Sequence, residues 1–149
     1  PLSILNLYFD EMNKAISETM NNPIYKDDKF FVAGHSFGGG VTKILSLKHD
    51  IPGISLSGGG ITAIADFFVP EKKNVSAKLI NFIDITPDMD IVPMIDYHEG
   101  SEFEIPCTAG PLKCHFKDQS FCQVMYMCDR ENPNYDFICR NDADKYIVK

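Results

Sequence analysis

Ser36 lies between two glycines in Gly34-His35-Ser36-Phe37-Gly38, and carboxylates and histidines follow it in the chain. A serine hydroxyl is a weak nucleophile. It needs a base to take its proton and a carboxylate to orient that base. Where a strand runs into Gly-x-Ser-x-Gly and a helix leaves it, the serine stands at the tip of a strained turn, a nucleophile elbow. Here Phe30-Phe31-Val32-Ala33 is wholly apolar, and Val41 to Leu47 reads as a helix. Gly34 and Gly38 are expected to let strand and helix pass closely. The helix N-terminus then turns its free N–H groups toward the reacting centre, and the Phe37 backbone N–H is the expected oxyanion donor. The plain alternative is a glycine-rich turn with an incidental serine. It would require no acid and no histidine downstream.

Both are present. The order in a hydrolase of this kind is serine, acid, histidine. Of the four histidines, His35 adjoins Ser36 and is too close to turn back on it. His49 precedes the acids and sits at a helix end, where it caps the dipole. His98 and His115 remain. Asp84, Asp88 and Asp90 fall in one proline-bounded stretch, and any of the three can serve as the acid; solvated loop carboxylates are the alternative. His98 follows this stretch closely, which leaves little chain to approach Ser36 from the other side. His115 has a longer run before it, and Cys114 beside it offers a tether. Length therefore favours His115. The chemistry is acyl transfer through a serine ester, which calls for no metal or cofactor.

The motif Gly-His-Ser-Phe-Gly-Gly resembles the Gly-His-Ser-Leu-Gly-Gly signature of the class 3 (fungal-type) lipases, with Phe37 in place of leucine. Asp90-Ile91-Val92-Pro93 resembles that family's Asp-x-Val-Pro, whose aspartate is the triad acid; the resemblance selects Asp90. Tyr97-His98-Glu99-Gly100 resembles a non-catalytic His-x-Gly stretch of the family. Cys114-His115 resembles the histidine region of its cysteine-bearing branch, which includes autophagic-body lipases of fungi and lipase-like proteins of protists. The resemblance implies an α/β-hydrolase fold, a triad of Ser36, Asp90 and His115, and a lipid or other ester as substrate, met at a membrane or lipid-droplet surface. It also implies that a second oxyanion donor comes from a loop on an earlier strand, outside this sequence, and that any lid lies upstream of the elbow. On that reading the 149 residues are one domain lacking the N-terminal part of its fold, weak or inactive alone.

The net charge of −7 disfavours nucleic acid and a polybasic grip on anionic membranes. An apolar content of 44% suits a globular chain. No apolar run approaches the roughly 18 residues of a membrane-spanning helix. All five cysteines, Cys107, Cys114, Cys122, Cys128 and Cys139, lie in the last third. That clustering suggests disulfides and an oxidising compartment, by secretion or in a lysosomal or vacuolar lumen. Four cysteines allow three pairings; pairing of neighbours joins Cys107 to Cys114 and Cys122 to Cys128. Asn74-Val75-Ser76 is a glycosylation sequon.

The elements that position these groups alternate. Leu2 to Met20 carries a helical apolar stripe ended by Asn21-Asn22-Pro23. Phe30 to Ala33 is a strand of the kind buried on both faces. A helix follows to about His49, then a strand from Gly53 to Ser57 ending in Gly58-Gly59-Gly60, a short helix from Thr62 to Val69, and a strand from Lys78 to Ile83. Glu102 to Ile105 reads as an edge strand, Phe121 to Met127 as a helix or strand, and Asn132-Pro133-Asn134 as a turn. Strands alternating with helices argue for a parallel α/β sheet, with chemistry beyond the carboxyl ends of its strands. Three other readings stay open: another activity on the same fold (thioesterase, feruloyl esterase or peptidase), a non-catalytic lipid-binding or degenerate lipase-like protein, and a cysteine-rich structural module.

Overall fold

The structure is a computed structural model that describes residues 2–70, 79–98, 100–129, 131, 135, 139 and 148. Helix α1 (Leu2–Met20) leads through a 3-10 turn, Pro23–Tyr25, to strand β1 (Val32–His35). Then come α2 (Phe37–His49), β2 (Gly53–Leu56), α3 (Thr62–Phe68), β3 (Phe82–Pro87), β4 (Ser101–Ile105), the short helix α4 (Pro111–Cys114) and α5 (Lys117–Asp129). The four strands form one sheet in the order β1-β2-β3-β4, parallel throughout. The α/β class expected from the alternation is what is found.

Register sorts the side chains. Gly53 pairs with Phe82 and Ser55 with Asp84, so these point to one face of the sheet. Helix α2 lies on that face, and its Ile44, Leu45 and Leu47 share a core with Phe82, Leu79, Phe68 and Phe9. Helix α1 docks through Phe9, whose ring sits 4.8 Å from that of Phe68. His49 bridges back to α1, its Nε2 lying 2.8 Å from Asn13 Oδ1; this tie adds to the helix-end role expected of it. The αL residue that closes α2 is Asp50, with φ 54°.

Three expectations shift. The first strand begins at Val32, because pairing with β2 starts there, and Phe31 is 60% exposed ahead of it. The third strand runs to Pro87, so Asp84 to Thr86 are ladder residues, not loop; Asp84 pairs in register with Ser55. The apolar first strand suggested cover on both faces. Helices α1, α2 and α3 share the core on one face, and on the other Ile83 is 41% and Phe103 55% exposed. Phe121 to Met127 is helical, within α5. No helix among the described residues is long and apolar enough to cross a membrane. The sequon at Asn74 and the turn at Asn132-Pro133-Asn134 lie outside the described residues.

Candidate active site

β1 ends at His35 and α2 begins at Phe37, so Ser36 alone makes the turn. It belongs to both elements. Its N–H donates to the Leu56 carbonyl at 3.0 Å, and its own carbonyl accepts from Gly39 at 2.9 Å and Gly40 at 3.3 Å. Its backbone sits at φ 57°, ψ −126°, a region costing a non-glycine residue about 1–3 kcal/mol. The strand ladder on one side and the first helical turn on the other hold it there.

Close passage of strand and helix depends on Gly34. A Cβ there would stand 2.3 Å from the Gly38 carbonyl oxygen. Gly38 does not have the steric role expected of it, since a Cβ there would meet nothing within 4 Å. Gly39 has that role instead. A Cβ on Gly39 would meet Ser55 Oγ at 2.5 Å and Gly58 Cα at 2.9 Å, because this turn of α2 lies directly on the end of β2.

Ser36, Asp90 and His115 come together. Ser36 Oγ is 2.8 Å from His115 Nε2. His115 Nδ1 is 3.1 Å from both carboxylate oxygens of Asp90. The buried carboxylate fixes the tautomer: Nδ1–H donates to Asp90, and Nε2 is left to accept from the serine. Asp90 is 1% exposed, and its Oδ1 also accepts from Val92 N–H at 2.9 Å. It sits three residues past the end of β3, in the turn Pro87 closes with the Asp90 N–H at 3.1 Å. Phe37 is the first residue of α2, and the N–H groups of a first turn have no partner within the helix.

No family model matches the chain, and no curated protein matches it. The assignment of roles therefore rests on geometry and on chemical type.

The other candidates fall elsewhere. Asp88 is exposed beside the turn. Asp84 and His98, the other acid and the other base, bond to each other instead of to Ser36. A third residue joins them: Lys43 of α2, fully buried, pairs with Asp84. Its ammonium also donates to the Gly59 carbonyl at 2.8 Å and lies 3.1 Å from His98 Nδ1. His98 Nε2–H donates to the Pro93 carbonyl at 2.6 Å. The hydrogen bond to Asp84 raises the His98 pKa above its ordinary 6.5, against its burial. Burial lowers the Lys43 pKa below 10.5, opposed chiefly by Asp84. The sequence signal for Lys43 is a lone charge inside the apolar run Val41 to Leu47. Buried charges are paired, so a partner acid is implied.

His35 is the other residue whose part the sequence did not reveal. Its Nε2–H donates to the backbone carbonyl of His115 at 2.8 Å, and the two rings stand 5.1 Å apart. Beside Ser36 opens a pocket of about 290 Å³, lined by Val41, Ile44, Ile61, Ile64, Val92 and Ile95 among others. Cys107 and Cys114 are bonded as expected. The second bridge is a correction: Cys122 joins Cys139, and Cys128 is free and exposed. Cys122 is buried on α5 and packs with Cys139 and Tyr135, whereas Cys128 lies on the open side of the same helix.

Proposed function

We propose that this chain is a serine-dependent carboxylic ester hydrolase acting on lipids, of the α/β-hydrolase type, as the resemblance to class 3 lipases implies. The observation that carries the reading is the hydrogen-bonded line Ser36–His115–Asp90, built on a serine held at φ 57°. Neither a cysteine-rich structural module nor an incidental serine gives a reason for that line. His115 takes the Ser36 proton as Oγ attacks the ester carbonyl. The Phe37 N–H donates to the oxyanion. His115 then protonates the departing alcohol, and water attacks the acyl-enzyme by the same route reversed. The apolar pocket beside Ser36 suits the acyl chain of a lipid better than a polar or charged acyl group. The two bridges favour an oxidising site of action, by secretion or in a lysosomal or vacuolar lumen.

The test is fluorophosphonate labelling of the natural full-length chain, with the adduct mapped by mass spectrometry. An adduct on Ser36 is expected, lost in Ser36→Ala and reduced at least about 1000-fold in rate in His115→Ala, in line with the loss of a triad base. His98→Gln should still label. A folded protein that takes no adduct overturns the reading in favour of a non-catalytic lipid-binding protein. With labelling established, a series of p-nitrophenyl esters of rising acyl length identifies the chain that the pocket accepts.

A further inference from the structure

We infer that His35 is a positioning residue for the base: it holds the backbone of His115 so that the imidazole stays in line between Ser36 and Asp90. The inference rests on the hydrolase reading above.

His115 has no strand or helix of its own. It lies in the connection between α4 and α5, and a base on a connecting turn needs its main chain fixed from outside. One side is fixed by Cys114, bridged to Cys107. The other is fixed by His35. A carbonyl oxygen can only accept, so the His35 Nε2 carries a proton and gives it to the His115 carbonyl at 2.8 Å. His35 is the last residue of β1, paired in register with Leu56, so its ring stands on a rigid strand. The ring also flanks that of His115, with centroids 5.1 Å apart and planes inclined by 35°.

Two successive residues of one strand end therefore grip the same histidine. His35 holds its main chain and Ser36 meets its Nε2 at 2.8 Å. Loss of the His35 bond frees the main chain that carries the base. Misplacing a catalytic group by 1 Å can cost on the order of 100-fold in rate.

A residue that only fills space is distinguishable from one that donates. His35→Phe keeps a ring of similar size without the donor. His35→Gln places an amide N–H at about the reach of the imidazole Nε2 without the ring. Each variant of the full chain is assayed on a p-nitrophenyl ester, with the rate normalised to Ser36 sites titrated by fluorophosphonate, so that unfolded protein does not count. His35→Phe should lose about 10- to 100-fold in kcat per site with KM within about twofold, while His35→Gln stays within about threefold of the native chain. A second readout is independent of turnover: the downfield proton resonance of His115 Nδ1–H, bonded to Asp90, should weaken or vanish in His35→Phe and persist in His35→Gln. Per-site turnover of His35→Phe within twofold of native, or His35→Gln as slow as His35→Phe, overturns the inference. If the native chain takes no label at Ser36, the hydrolase reading falls by itself and the proton resonance decides the role of His35: persistence in His35→Phe overturns it, and loss there with persistence in His35→Gln upholds it.

Discussion

At the scale of single residues, what Ser36 requires of its neighbours is space, and that requirement is unequal. Alanine at position 34 would put its Cβ 2.3 Å from a backbone oxygen, which cannot swing away as a side chain could; at position 38 it would meet nothing within 4 Å. Gly34→Ala must therefore distort the elbow. It should destabilise the chain by about 1–3 kcal/mol, the usual cost of overpacking, and slow fluorophosphonate labelling by at least about tenfold. Gly38→Ala sits in the first turn of α2, where alanine is the better helix former by about 1 kcal/mol; its melting temperature should equal or exceed the native value. Melting and labelling of the two variants side by side check this, and equal damage would contradict it. Types and order in the sequence pointed to Ser36 and His115 but left Asp84, Asp88 and Asp90 open; the family resemblance chose Asp90, which does lie against His115. The sequence did not separate Gly34 from Gly38, since both flank the serine symmetrically in the motif while only one faces backbone. Nor did it reveal His35, whose partner is 80 residues away, so no local pattern records the pairing.

Among the elements, those with a strong period were legible in sequence and those defined by a partner were not. Helix α1 follows from its apolar stripe and α2 from the apolar run after the serine, and α3 falls where a short helix was expected. Strands β1 and β3 each lie a few residues later than their apolar runs, because β2 sets where pairing begins: Val32 opposite Gly53, and Gly53 opposite Phe82. A charge in the middle of β3 reads as a loop until Lys43 is brought under it. The turn carrying His115 is the least regular support in the site, and its anchor is covalent. Removing the bridge with Cys107→Ala and Cys114→Ala together should cost about 2–4 kcal/mol. It should also slow Ser36 labelling, because His115 directly follows Cys114. Cys128→Ser, on a free exposed residue, should leave both unchanged. Alkylation of the unreduced, unfolded protein should mark Cys128 alone of the five cysteines. A mark on Cys139 would restore the neighbour pairing and leave α5 without a covalent tie to the segment that follows it.

Across the whole molecule, Lys43, Asp84 and His98 tie together three parts that surround the candidate site. Lys43 stands on the helix behind Ser36 and holds the Gly59 carbonyl at the pocket. Asp84 is in β3. His98 donates to the Pro93 carbonyl, in the same loop as Asp90. The cluster has a bonded arrangement in either protonation state. With Nδ1 protonated, His98 donates to Asp84; once that proton leaves, Nδ1 accepts from the Lys43 ammonium 3.1 Å away. The first arrangement is the stronger, since the bond to Asp84 raises the His98 pKa. A histidine whose folded pKa exceeds its unfolded 6.5 adds stability that is complete below about pH 6.5 and fades as pH rises through the folded value. Lys43, shifted downward from 10.5 by burial against the pull of Asp84, Glu102 and Asp96, makes stability rise with pH where it titrates. The two slopes have opposite sign. Urea unfolding of the native chain and of His98→Gln between about pH 5 and 9 isolates the first, because the lysine is common to both. The stability difference should be largest at the acid end and shrink steadily above about pH 6.5. A difference that is flat, or that grows with pH, would mean that His98 is held neutral and that the Lys43–Asp84 pair closes without its proton.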